Sequence, residues 1–482
     1  MAYIVGNRTQ AILFPSRIED YVALDSPVRV YDAFVEALDL EELGIRTTPL
    51  SNGGANEYYP KDLLKLLIYG PSYGIRSSRK LERACHDHIS VIWLMRNVKP
   101  DYRTIARFRS KNKKVIKKIF KQCVRMCMEM NTIEGNTLFF DGSKVRANAS
   151  INQSRTKKQY EEKMKKIEEK IDQLMDECEQ EDIKEEGESS LVRLKEKIHD
   201  QTELTEKIKE VLKNFKEEDK ETKKINMTDQ ESVNAKSRQG SHAMYNVQST
   251  VDGKHGLIVN SECVSQSNDY NQLNRQVNAA TETIGHQPKT VCADAGYADV
   301  DDLKKIDNKI NVVVPSKKQA QESKGVKEIE AFHPSQFIYH EDDDEYECPA
   351  GERLTNRGNG FGKYDTVYKT RGGICRACRY FGECTNSKKM GRKIMRSRNE
   401  KYRETLEENY LKEENQKIYA LRKQTVEHPF GHLKKNLGVH QFLLRGKDKV
   451  DAEIAVLSTC FNLRRLMTII GIPELIAKLK AT

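Results

Sequence analysis

Two spacings of apolar residues alternate along this chain, and the change from one to the other divides it. Between residues 60 and 130 apolar positions recur every three or four: Leu63, Leu64, Leu67 and Ile68 behind Pro60, Leu81 and Cys85 behind Ser77 and Ser78, Ile105 and Phe108 behind Asp101. That period is helical, proline fits a first helical turn, and Ser and Asp are good caps. It predicts three helices, the second continuing past His88 towards Trp93, in an all-helical N-terminal domain over residues 1–135. On the third, Arg107, Arg109, Lys111, Lys113, Lys114, Lys117 and Lys118 point mainly outward. Such a face suits contact with DNA or a partner, or plain solvation.

Beyond residue 135 the apolar runs become short and dense. Thr137–Phe140 ends on Asp141, Thr290–Ala293 ends on Asp294, and Ile310–Val314 is stopped by Pro315. Met244–Val251 is followed by Asp252-Gly253, a tight-turn pair, and by the returning run His255–Val264. A helix is expected from Asp269 to Thr283. Three antiparallel strands, a helix and two further strands give the fold class: α/β, an RNase H-like mixed sheet flanked by helices.

That sheet is interrupted. Residues 136–151 supply the first strand and 236–317 the rest. Between them, 152–235 is rich in Lys and Glu, with Met164, Ile167, Ile171, Leu174 and Cys178 at the alternating spacings of a coiled-coil seam. Leu191, Leu194, Ile198, Ile208, Leu212 and Phe215 continue it after Gly187. An antiparallel helical hairpin is predicted, an inserted arm or a dimerisation device. Residues 318–400 form a small Cys-rich, zinc-ribbon-like insert, 401–470 the C-terminal helices of the sheet domain, and 471–482 a tail.

With 482 residues, 37% hydrophobic and 32% charged, the chain exceeds a single core. The net charge of +10 conceals acids crowded into 161–222 and basic clusters at Arg107–Lys121, Lys388–Arg403 and Lys434–Lys449. Those clusters suit a phosphate backbone, or an ordinary solubilising surface. No apolar stretch is long enough to span a bilayer, and Met1–Arg8 lacks the order of a signal peptide, so a cytoplasmic protein without a membrane is expected. Eleven cysteines without a secretory signal argue against a disulfide framework.

Asp141, Asp294 and Glu427 are the candidate catalytic residues. One acid at a strand end is usually a turn former. Two at neighbouring strand ends with a third on a helix are what a two-metal phosphodiester enzyme needs. Carboxylate oxygens favour Mg²⁺ or Mn²⁺, here two ions. On a helix, Lys423, Glu427, Gly431 and Lys434 share a face, and Pro429 predicts a kink or restart there. Cys348, Cys375, Cys378 and Cys384 form a second candidate site. They could close around a structural Zn²⁺, or be free thiols; no open position or nearby histidine suggests a catalytic zinc.

The motifs Pro60–Tyr69, Ser77–Glu82, Pro100–Arg109, Phe140–Ser143, Tyr245–Gln248, Ala293–Tyr297, Val426–Lys434 and Leu444–Gly446 stand in one order over nearly the whole chain. In that combination the chain resembles DDE transposases of bacterial insertion sequences, specifically the group numbered eleven-eighty-two. The resemblance implies that Asp141, Asp294 and Glu427 are the metal-binding triad. It also implies that Tyr419, Lys423 and Lys434 belong to the Tyr–Arg–Glu–Lys signature around the third acid. Lysine stands at 423 where arginine is expected, and Arg422 is one position earlier, so either could hold phosphate. Double-stranded DNA, both transposon ends and target, becomes the expected partner, with Arg109 a further contact. The expected assembly is a homo-oligomer, at least a dimer, at the nucleoid. Two rival readings share the fold: a domesticated, catalytically inactive DNA-binding regulator, and a nuclease without strand transfer.

Overall fold

Helix Pro60–Tyr69 begins on its proline, whose missing N–H would have had no helical partner, and buries Leu63, Leu64, Leu66, Leu67 and Ile68. Helix Tyr102–Lys111 begins behind Asp101, whose side chain accepts from the Thr104 N–H at 2.6 Å. The second predicted helix is two, Ser78–Asp87 and Ile89–Leu94. His88 takes an extended conformation between them, and Ser77 makes no side-chain cap.

This is a computed structural model, and it describes residues 17–48, 57–182, 188–237, 240–322, 332–359, 364–370, 373–387, 390–397 and 399–481. The hairpin junction at Gly187 and the start of a basic cluster at Lys388 lie outside them. The helices in chain order are α1 (Val28–Glu36), α2 (Leu40–Leu43), α3 (Pro60–Tyr69), α4 (Ser78–Asp87), α5 (Ile89–Leu94), α6 (Tyr102–Lys111), α7 (Lys113–Glu129), α8 (Lys157–Asp182) and α9 (Glu188–Lys213). They continue as α10 (Leu273–Ile284), α11 (Val300–Leu303), α12 (Lys317–Glu322), α13 (Ile374–Ala377), α14 (Glu400–Leu411), α15 (Glu413–Lys435), α16 (Lys447–Ile470) and α17 (Ile472–Ala481). The fold is mixed α/β with a helical N-terminal region. Its contacts divide into one unit of Met1–Asp269, Gln276–Pro288 and Lys423–Thr482, and another of Tyr270–Arg275 and Lys289–Arg422.

The strands of the first unit are β1 (Thr137–Arg146), β2 (Ser154–Thr156), β3 (Lys224–Asn226), β4 (Val233–Ser237), β5 (Gly240–Asp252) and β6 (Ile258–Val264). β5 is central. It pairs antiparallel with β1, placing Asp141 opposite Ser249, and its other edge is shared by β4 and β6. Leu138, Phe139 and Phe140 are buried, so β1 carries an apolar run up to Asp141. An edge strand leaves a row of unpaired backbone groups that must be covered. α16 covers β6: Asn462 both donates to the Ile258 carbonyl (2.8 Å) and accepts from its N–H (2.9 Å), and Asp451 accepts from the Cys263 N–H at 2.8 Å. α16 also packs on α7 and α3, so the N-terminal helices share this unit's core.

α8 and α9 pack together as the predicted hairpin, with Tyr160, Ile167, Ile208, Val211 and Ile225 as one buried cluster. β2 and β3 pair antiparallel at its base, where the Tyr160 hydroxyl donates to the Gln153 and Ile225 carbonyls at 2.8 and 2.9 Å. The predicted helix from Asp269 starts later, at Leu273. Asn271 stands in the left-handed region at φ 58°, and Asp269 is engaged by β5 instead.

In the second unit β7 (Thr290–Cys292) and β8 (Asn311–Val313) pair in parallel, and Asn409 of α14 donates to the Val312 carbonyl at 3.0 Å. Five antiparallel strands follow: β9 (Ile338–His340), β10 (Glu345–Glu347), β11 (Arg353–Asn359), β12 (Tyr364–Lys369) and β13 (Lys393–Ser397). Phe337, Tyr346, Leu354, Tyr368 and Ile394 are their core, with Cys348 and Cys384 packed against it. Among the described residues no single helix is long and apolar enough to cross a membrane.

Candidate active site

In the first unit β1 delivers Asp141 half-buried, one carboxylate oxygen accepting from the Gly142 N–H at 3.0 Å. Two residues on, the Ser143 hydroxyl accepts from the Lys434 ammonium at 2.6 Å. Burial lowers the Lys434 pKa, and the charge of Asp141 opposes that effect. An acid, a hydroxyl and a cation therefore meet where β1 passes α15.

A fourth group reaches this place from a part of the sequence not singled out before. A Cβ on Gly142 would lie 2.0 Å from Asp269 Oδ1 and 2.7 Å from Gln248 Nε2. Glycine is what lets the Asp269 carboxylate lie against β1. Gln248 and Asn246 hold it with hydrogen bonds of 2.6 and 2.8 Å from their side-chain amides. The signal available in the sequence was Gly142 on one strand with the amides Asn246 and Gln248, two residues apart, on another.

Glu427 is exposed on α15, seven residues before Lys434 and thus nearly on the same face. α15 is not interrupted at Pro429 as predicted. Proline there removes the bond to the Thr425 carbonyl, but Val426, Phe430 and Leu433 bury their side chains along the same helix and hold it through the break.

The second unit holds Asp294, directly after β7. Its carboxylate caps the turn Ala295–Tyr297 by accepting from the Gly296 N–H at 2.7 Å. Tyr419 is close enough for the charge of Asp294 to add to burial, the larger cause, in raising its pKa, while Arg422 opposes both. The Arg422 guanidinium lies 5.6 Å from the Tyr419 ring centroid. Burial pushes the Cys292 thiol up to about 12, again opposed by Arg422. Of the two cations offered by the sequence, Arg422 is the one directed at Tyr419 and the β7 end. Lys423 is exposed.

Arg109 is turned inward rather than outward. Its guanidinium donates to the Arg76 carbonyl at 3.4 Å, and burial lowers its pKa, with Glu453 opposing. Arg76 itself pairs with Glu453 at 2.5 Å.

Also in the second unit, Cys348, Cys375, Cys378 and Cys384 line one small, almost wholly apolar cavity. Cys348 opens a turn closed by Gly351 at φ 84°, Cys375 lies within the short α13 and Cys378 caps its C-terminal end, and Cys384 follows a turn at Tyr380. The Cys384 thiol is raised by burial, and by the other three, its neighbours. Among the described residues, no three His, Cys, Asp or Glu side chains are already arranged to hold an ion.

Residues 347–467 match the family described as transposase DDE domain, and residues 16–111 match the family described as transposase domain (DUF772). The first match contains Glu427, Lys434 and the four cysteines, and begins after Asp141 and Asp294. No curated protein and no solved structure matches the chain.

Proposed function

Since the chain is an insertion-sequence DDE transposase, we propose that it binds the terminal inverted repeats of its element and catalyses strand cleavage and strand transfer there. In this reading the fold is RNase H-like, and Asp141, Asp294 and Glu427 are the acids that hold two Mg²⁺ or Mn²⁺ ions. The donor set is in keeping with that, being carboxylate oxygens half-buried in the middle of β1, which runs on past the expected end to Arg146, on a turn and on an exposed helix face. The ions, when bound, would supply Lewis-acid activation and charge stabilisation at the phosphodiester.

The remaining work belongs to the chain's own side chains. A water oxygen adds to phosphorus and gives up a proton as the P–O3′ bond breaks and the freed 3′-oxygen takes one; that 3′-hydroxyl then loses its proton and bonds to a target phosphorus, whose own P–O3′ bond breaks, the leaving 3′-oxygen taking up a proton. Lys434 brings a cation to the middle of β1 beside Asp141, where it offsets phosphate charge. Arg422, supported on the Tyr419 ring, offers two parallel donors to a phosphate, which a lysine cannot. Lys423, exposed beside it, contributes charge alone. The four cysteines would hold one structural zinc as soft thiolates around the small cavity they line. Double-stranded DNA is the partner, bound by a homo-oligomer of at least two chains.

The observation that carries this reading is the DDE-domain match around Glu427. Asp141→Asn, Asp294→Asn and Glu427→Gln are each expected to abolish cleavage of the element's own inverted repeats with Mg²⁺ while end binding survives. Full cleavage by any one of them, folded and well expressed, overturns the triad.

A further inference from the structure

Within the first unit, α15 and α16 enclose with Tyr31, Ser72 and Tyr73 a cavity of about 580 Å³. Ligand sites commonly span roughly 300–1,000 Å³. Its lining carries two cations, Arg464 and Arg465 from α16, beside His428 and His432 from α15 and the rings of Tyr31, Tyr73 and Phe461. No acid is among the described lining residues. Packing alone does not call for two adjacent guanidiniums facing a space of this size.

Both arginines are oriented and both keep donors to spare. Arg464 Nη1 donates to the Ser72 carbonyl at 2.7 Å and Arg465 Nε to the His255 carbonyl at 3.0 Å, so each commits one of the five N–H donors a guanidinium carries. His428 and His432 meet the Phe461 ring edge-on at centroid distances of 5.9 and 5.3 Å. The buried Nδ1 of His432 has no hydrogen-bond partner.

We propose that this cavity receives one nucleotide of a DNA strand, its phosphate between Arg464 and Arg465 and its base against the exposed ring of Tyr73. The assignment to DNA rests on the transposase reading. His428 follows Glu427 directly on α15, about 100° further round the helix, so the cavity and that carboxylate lie on neighbouring faces of one helix. The chemistry recognised, a phosphate joined to an aromatic base, is shared by a free nucleotide.

The test uses the full chain without divalent ions, so its outcome does not depend on catalysis. Deoxyadenosine 5′-monophosphate is titrated while the ring signals of His428 and His432 are followed by NMR. Saturable shifts of both are expected, with inorganic phosphate binding more weakly. Arg465→Gln is expected to weaken binding about tenfold or more, the loss typical of a charge-assisted hydrogen bond. Tyr73→Ala should bring the nucleotide down to the level of phosphate. Should Arg465→Gln fail to fold, Thr468→Trp, which fills the cavity from its lining, is expected to abolish the shifts. A ten-nucleotide single strand should displace the mononucleotide. Unmoved histidines, an unchanged affinity in folded Arg465→Gln, or phosphate binding as well as nucleotide each overturns the proposal. Failure of the single strand to compete overturns the assignment to DNA.

Discussion

Lys434 donates to the Ser143 hydroxyl at 2.6 Å, which fixes a cation from α15 two residues beyond Asp141 on β1. Lys434→Met removes the charge and keeps much of the stem. It is expected to cost about 1.5–3 kcal/mol of stability, the range for a hydrogen bond to a charged group. Strand cleavage should fall at least about tenfold, whereas Ser143→Ala should lose less of both. Urea unfolding and a cleavage assay on the same preparations check this; equal activity of Lys434→Met and the parent protein would contradict it.

Gly142→Ala places a methyl against a carboxylate already held by two amides. The Asp269 side chain has to leave or β1 has to shift, and overpacking of this kind costs about 1–3 kcal/mol. Combining it with Asp269→Ala should cost less than the sum of the two single changes. A thermal-unfolding double-mutant cycle reads the coupling directly.

Acid should weaken the first unit through His432. Burial chiefly, then Arg464 and His428, holds its pKa down at about 4 from 6.5. The unfolded chain therefore binds the proton first as pH falls. Stability due to the neutral ring is fully present above pH 6.5 and declines progressively towards pH 4. His432→Phe should flatten the pH dependence of urea unfolding in that window. An identical slope in both proteins would remove His432 as its source.

Purified protein is expected to carry one zinc per chain on Cys348, Cys375, Cys378 and Cys384. Cys378→Ser should lose it, and a strong chelator should unfold the β9–β13 sheet first, because structural zinc energy is folding energy. Elemental analysis with hydrogen exchange over residues 338–397 separates this from free thiols, which would give no zinc and no chelator effect.

Pattern alone located the helix starts at Pro60 and Asp101, the apolar run into Asp141 and the short strands at 290 and 311, since each depends on neighbours in the chain. It missed the break at His88 and the inward turn of Arg109, because both answer to residues far along the sequence; the Arg76 carbonyl and Glu453 draw Arg109 in. A helix was expected from Asp269, and only the register of β5 against β1 shows that Asn246 and Gln248 capture it. Pro429 predicted a break that the buried row Val426, Phe430 and Leu433 overrides. The choice between Arg422 and Lys423 was closed to sequence for a similar reason: it turns on which side chain reaches Tyr419.

The arm made of α8 and α9 leaves and re-enters the fold through two short strands that lie side by side, β2 and β3. Its entrance and exit are thus already joined at the root, and each helix of 26 residues adds about 39 Å beyond it. A lineage can therefore trim or extend this appendage by matched turns on both limbs, leaving the strand that carries Asp141 in register. Length variation among descendants should concentrate at its tip.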